Sequence, residues 1–133
     1  MAQIQLMNAL DSVARVNAKD CFVEGNSVVF VVPEKDMRQA IGKNGSTVER
    51  MEKLLGRKVE LFEFSQEPEK FFGKAFFKAK VEKAEIRQLK DRKIAVVNVD
   101  AENKKLILRN MMRLKKVKEI AKRNYGIDEV RIR

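Results

Sequence analysis

Two glycines bracket a cation and an amide at Gly42-Lys43-Asn44-Gly45. Neither glycine carries a Cβ, so the chain can turn sharply there and bring its backbone close to another backbone. Lys43 puts a positive charge at the tip, and Asn44 tolerates the unusual dihedrals of such a turn. These residue types suit electrostatic capture of a phosphate. That is binding chemistry, not bond-breaking chemistry. A G-x-x-G tetrapeptide by itself most often means a tight connection, so its neighbours decide the reading.

Those neighbours form a narrow pattern. Residues 34–41 read as a short helix after a strand that stops at Pro33. Ser46 and Glu49 are spaced as a capping box, the Ser side chain on the N3 amide and the Glu reaching back. Val48, Met51 and Leu55 recur at i, i+3 and i+7, the apolar face of an amphipathic helix over 46–55. Gly56 is placed to end that helix in the left-handed conformation. Helix, G-x-x-G, helix, strand resembles the backbone-clamping element of KH-type RNA-binding modules.

Composition narrows the function classes. The 133 residues suffice for one medium domain or two small ones, and 44% apolar content supports a packed core. Residues 1–66 hold nine Lys and Arg against nine acids, whereas 67–133 hold the remaining 20 of the 29 bases and 10 of the 19 acids. The whole excess of +10 therefore sits in the second half, as expected of a face directed at polyanions. There is no His, so the commonest general base and metal ligand is missing. Residues 42–46 superficially resemble a phosphate-binding P-loop, but Met37 stands where its leading glycine belongs and Gly-Lys-Ser never occurs. Glu49 and Glu52 read as capping and surface groups. The expectation is a protein that is not an enzyme, with no metal, no cofactor and no small-molecule substrate.

Cys21 is alone, which excludes an intramolecular disulfide and a cysteine metal cluster. It reads as a small buried hydrophobe in a reducing cytoplasm. The longest apolar run, 28–32, is too short for a bilayer and is β-branched, hence a strand. Residues 1–14 lack the pattern of a signal peptide and read as an amphipathic helix with Leu6, Leu10 and Val13 inward. No membrane partner is expected.

The element order occurs twice. In the first half it runs helix (3–15), strand (20–24), strand (27–32), helix (34–41), helix (46–55), strand (58–64), with Gly25-Asn26 as a hairpin turn. Residues 65–68 read as a junction. The second half reads helix (69–80), strand (81–88), strand (94–99), helix (100–107) capped by Asp100, helix (113–124) and strand (127–132). Gly126 stops the last helix. Sliding the halves by 66 puts Ile41 on Ile107, Val48 on Leu114 and Met51 on Val117, the signature of an internal repeat. Each copy is near the lower limit for a self-sufficient core, and the short junction favours a docked, rigid pair. The helical spacing of Phe71, Phe72, Phe76 and Phe77 favours packing over a base-stacking platform.

This order, with Ile41-Gly42-Lys43-Asn44-Gly45 at the helix junction, resembles a type II KH domain. Two in tandem resemble the short archaeal NusA-like transcription factors, over essentially all 133 residues. The strongest element is the run from Val32 to Gly45; a second is the corner Ala121-Lys122-Arg123 through Gly126-Ile127-Asp128-Glu129-Val130. The resemblance implies an α+β fold of two KH domains, 1–66 and 67–133, each a three-stranded sheet covered by helices. It implies a cytoplasmic factor that binds single-stranded RNA and acts in transcription termination or antitermination. RNA polymerase or its elongation complex is a further implied partner, although the polymerase-binding domain and oligonucleotide-binding barrel of longer bacterial relatives have no counterpart here.

The expected RNA-binding residues in the first copy are Arg38, Ile41, Gly42, Lys43, Asn44, Gly45, Ser46, Thr47 and Arg50. Amides at the start of the 46–55 helix would face a phosphate, and Ile41 and Val48 are candidates for an apolar floor under the bases. The second copy has Leu108-Arg109-Asn110-Met111 where the glycine loop belongs, and bulky side chains there would weaken a clamp. Its candidates are Lys105, Arg109, Asn110, Arg113 and Lys116, within a cluster that also holds Lys104, Lys115 and Lys118. This copy reads as an electrostatic extension, and restoring glycine at 108 and 111 is expected to strengthen RNA binding. KH-type ribosome assembly and protein docking through the glycine-free copy are the alternatives.

Overall fold

The β-branched run 28–32 lies at the centre of the first of two sheets in a computed structural model, which describes residues 3–133. The first two residues of the 1–14 stretch lie outside the described residues. The chain divides into two compact units, Met1–Phe64 and Ser65–Arg133. The described residues form two three-stranded sheets and six α-helices, an α+β architecture.

In the first unit, α1 (Gln3–Ala14) precedes the hairpin of β1 (Asp20–Glu24) and β2 (Ser27–Pro33), closed at Gly25 with φ 60°. A 3-10 turn (Glu34–Asp36) leads to α2 (Met37–Ile41), a second (Lys43–Gly45) to α3 (Ser46–Leu55), and β3 (Lys58–Phe64) closes the unit. β2 is central, antiparallel to β1 and parallel to β3. Val28, Phe30 and Val32 from one face of β2 join Leu6, Leu10, Cys21, Ala40 and Met51 in a buried cluster. Each Val, Leu, Phe and Met side chain among them contributes about 1.5–3 kcal/mol by leaving water. Val13, expected inward, is only partly buried against this cluster, and Ala14 is buried beside it.

Two bonds set the helix pair that carries the glycine loop. Gln39 Nε2 donates to the Ala14 carbonyl at 2.6 Å, satisfying an acceptor that the end of α1 leaves over and tying α2 to α1. Glu52 Oε2 accepts from the Val59 amide at 3.0 Å, which holds α3 to β3 across the left-handed Gly56.

The second unit repeats this order with α4 (Pro68–Ala75), β4 (Lys83–Gln88), β5 (Lys93–Asn98), α5 (Ala101–Arg109), α6 (Met111–Tyr125) and β6 (Glu129–Ile132). β5 is central, antiparallel to β4 and parallel to β6. Asp100 caps α5 as expected, accepting from the Asn103 amide at 2.8 Å. Tyr125 donates its hydroxyl to the Ser65 carbonyl at 2.6 Å, which fixes the start of the unit, and burial pushes its pKa up.

Two expectations fail here. The helix expected over 69–80 ends at Ala75, because Phe77 takes left-handed backbone (φ 56°) and the Lys80 amide bonds to Asn103 Oδ1 at 2.8 Å. That bond spans 23 residues, so local periodicity cannot register it. The capping box at Ser46 and Glu49 does not form either. Ser46 already has helical dihedrals (φ −61°, ψ −38°) and Gly45 occupies the N-cap position, so no side chain caps α3.

Candidate nucleic-acid interface

Between α2 and α3 the backbone makes three excursions within four residues that L-residues avoid or tolerate mainly as Asn. Gly42 has φ 78°, ψ 168°, Asn44 has φ 55°, ψ 30°, and Gly45 has φ 77°, ψ 14°. The Gly42 conformation is essentially restricted to glycine. The left-handed region of Asn44 admits Asn more readily than most residues. A Cβ on Gly42 would collide with Thr47 Oγ1 and stand 2.6 Å from the Thr47 amide nitrogen. A Cβ on Gly45 would meet nothing within 4 Å. Gly42 thus seats the loop against the first turn of α3, and Gly45 only steers the chain.

The loop's own hydrogen bonds sort its donors. The Gly42 amide donates to Arg38 O at 2.9 Å and the Gly45 amide to Gly42 O at 3.2 Å. The Ser46 amide donates to Lys43 O. Ser46 is therefore engaged inside the turn, which corrects the expectation that the first amide of α3 faces a phosphate. Lys43 and Asn44 are the leading residues of a 3-10 turn, whose first donors have no acceptor within it. Both are exposed, so the donors open to a ligand sit two to three residues earlier than expected.

Around this tip the expected cations are on the surface. Arg38, Lys43 and Arg50 are exposed, and among the described residues none of them pairs with a carboxylate. Ile41 is 39% exposed rather than in the core, and Val48 is half-buried against the core. Thr47 is half-buried under Gly42. The nine residues named for the first copy all lie on α2, the turn and α3.

The corresponding corner of the second unit is built differently. α5 and α6 are joined by Asn110 alone, at φ −104°, ψ 68°, and its side chain accepts from the Arg113 amide at 3.2 Å to cap α6. No left-handed turn exists there. Lys105, Arg109 and Asn110 are exposed, and Arg113 donates its Nε to Ala75 O at 2.8 Å. Lys116 is only 2% exposed, so the inner face of α6 removes it from reach of a phosphate. Leu106, Leu108, Met111 and Met112 are exposed instead.

Sequence reasoning missed Phe77. Phe71, Phe72 and Phe76 are buried as expected, but Phe77 is 76% exposed at the mouth of a groove near Asn110 and Arg113. Its one signal was its place beside, rather than within, the i, i+4 pair of Phe72 and Phe76.

Among the described residues no group of three or more His, Cys, Asp or Glu could hold a metal ion, and no helix is long and apolar enough to cross a membrane.

Comparison with known proteins adds to this geometry. Residues 5–66 match the family model described as KH domain. The chain is similar to the probable transcription termination protein NusA of Halobacterium salinarum, at 30% identity over 129 residues that make up 96% of this chain and 92% of that one. The protein of the same name from Methanocaldococcus jannaschii is 24% identical over 131 residues, 98% of this chain and 72% of its own. The crystal structure of APE1850 superposes with a TM-score of 0.90 at 24% identity, covering 98% of this chain and 97% of that one, a likeness of fold.

Proposed function

This chain belongs to the archaeal NusA-like family of KH proteins, and from that membership we propose that it binds single-stranded RNA and works in transcription termination or antitermination. One observation carries the binding step. An exposed 3-10 turn presents the leading amides of Lys43 and Asn44, flanked in sequence by three cations that pair with no carboxylate among the described residues.

In this reading 1–66 is the clamping KH copy. Gly42 holds the turn against α3, and Asn44 and Gly45 shape it. The Lys43 and Asn44 amides donate to one phosphate, with the charges of Lys43, Arg38 and Arg50 beside it. Ile41, at the rim, gives bases an apolar surface, while Ser46 and Thr47 brace the loop from behind. A KH clamp takes about four nucleotides. The copy at 67–133 offers further contacts to the strand through Lys105, Arg109, Asn110 and Arg113. Family membership supports a cytoplasmic site of action and contact with the transcription elongation complex.

Replacing Lys43 and Asn44 together by Asp tests the clamp. Asp is among the residues most tolerant of left-handed backbone, so the fold is expected to survive. The backbone amides remain, but loss of the Lys43 charged bond, worth about 1.5–3 kcal/mol, predicts a drop in RNA affinity of roughly ten- to 150-fold, to which repulsion by the new carboxylates adds. Filter binding with circular dichroism reads both quantities. Unchanged affinity in a folded double variant removes the clamp from consideration.

A further inference from the structure

Phe77 is left unexplained by the clamp. A bulky aromatic at φ 56° is a genuine outlier, which persists only where its surroundings impose it. Burial does not account for it, since the ring is 76% exposed while Phe76 and Ala79 on either side are buried. The Ala79 amide donates to Phe76 O at 3.0 Å and the Lys80 amide to Asn103 Oδ1 at 2.8 Å. These bonds hold the turn so that the ring projects outward.

The ring borders a groove of about 180 Å³ shared with Leu106, Asn110 and Arg113. Arg113 Cζ lies 5.7 Å from the ring centroid, steered there by its bond to Ala75 O, and Lys78 Nζ lies 6.0 Å away. Sites for drug-sized ligands run to about 300–1,000 Å³, so this groove has room for little more than one planar ring. No carboxylate lines it, and Lys105 and Arg109 are exposed on the adjoining helix.

We infer that this corner is a base-stacking site: a nucleobase of a single strand lies on the exposed ring of Phe77, floored by Leu106, with Arg113 and Lys78 supplying positive charge beside it. Every base offers a π-face, so such a contact is tolerant of sequence. The ring of cations favours a nucleic acid over an apolar protein segment. The inference rests on the reading that the chain binds single-stranded RNA. It gives the second unit, which lacks the glycine turn, its own means of holding a nucleotide.

Phe77→Gly and Phe77→Trp in the full chain provide the test. Glycine accepts this backbone without strain, so F77G should fold with an unchanged or higher melting temperature. Its affinity for labelled oligo(A) RNA of about 12 nucleotides, long enough to pass beyond one four-nucleotide clamp, should fall roughly five- to 150-fold. F77W should retain the wild-type affinity. A 2-aminopurine base in the oligonucleotide should be quenched by the wild type and F77W but not by F77G. Wild-type binding that F77G leaves unchanged overturns the stacking site alone. Unchanged RNA affinity with loss of an RNase-resistant protein partner reassigns the ring to protein docking. Absence of RNA binding by the wild type overturns both this site and the reading beneath it.

Discussion

Gly42 and Gly45 look interchangeable in a tetrapeptide, yet the folded chain asks different things of them. Gly42 occupies a glycine-only conformation, and an added Cβ would strike Thr47. Gly45 faces open space and needs only the left-handed region. Gly45→Ala is therefore expected to destabilise by about 1–2 kcal/mol, the penalty of a left-handed L-residue. Gly42→Ala should exceed that, because strain of about 1–3 kcal/mol is joined by a clash against backbone. At about 4–8 °C per kcal/mol for a domain of this size, thermal melts separate the two variants easily. Equal melting temperatures would mean that the loop relaxes around Cβ 42 and that Thr47 does not define its seat.

At the scale of elements, the two inter-helix corners show what local pattern can and cannot reveal. Replacing Leu108 and Met111 by Gly looked like a way to restore a clamp. The helical placement argues for the opposite outcome, since Leu108 lies in the last turn of α5, Met111 opens α6, and Asn110 already caps the joint. Two glycines in helical positions should each weaken the fold by about 0.8–1.0 kcal/mol relative to Ala, with no gain in RNA affinity. Tighter RNA binding by the double variant would show that a clamp can form here after all. The residues that were legible were those whose role is local: Val48 and Met51 on one helix face, Asp100 as a cap, Gly56 and Gly126 as left-handed stops. The residues that were not legible answer to distant partners. Phe77 turns outward because the Lys80 amide reaches Asn103, and Lys116 turns inward on a face that charge counting cannot see. Ser46 fails as a cap because Gly45 enters the helix left-handed, which a Ser-x-x-Glu spacing cannot anticipate.

For the whole molecule, the governing fact is that the net charge of +10 belongs to the second half while the glycine turn belongs to the first. Affinity and its salt dependence should therefore be separable by mutation. On single strands each phosphate neutralised contributes about 0.7 to the slope of log affinity against log salt. If Lys105 and Arg109 each meet a phosphate, Lys105→Gln with Arg109→Gln should reduce that slope by about 1.4. Removing the Phe77 ring should lower affinity at every salt concentration without moving the slope, because stacking releases no counterion. Binding isotherms across a salt series measure both effects. A slope unaffected by loss of the two cations would confine phosphate contact to the first unit, and the basic half would then serve solubility or another partner. A slope that changes on loss of Phe77 would mean that the ring acts by placing Arg113 and Lys78 on a phosphate rather than by stacking on a base.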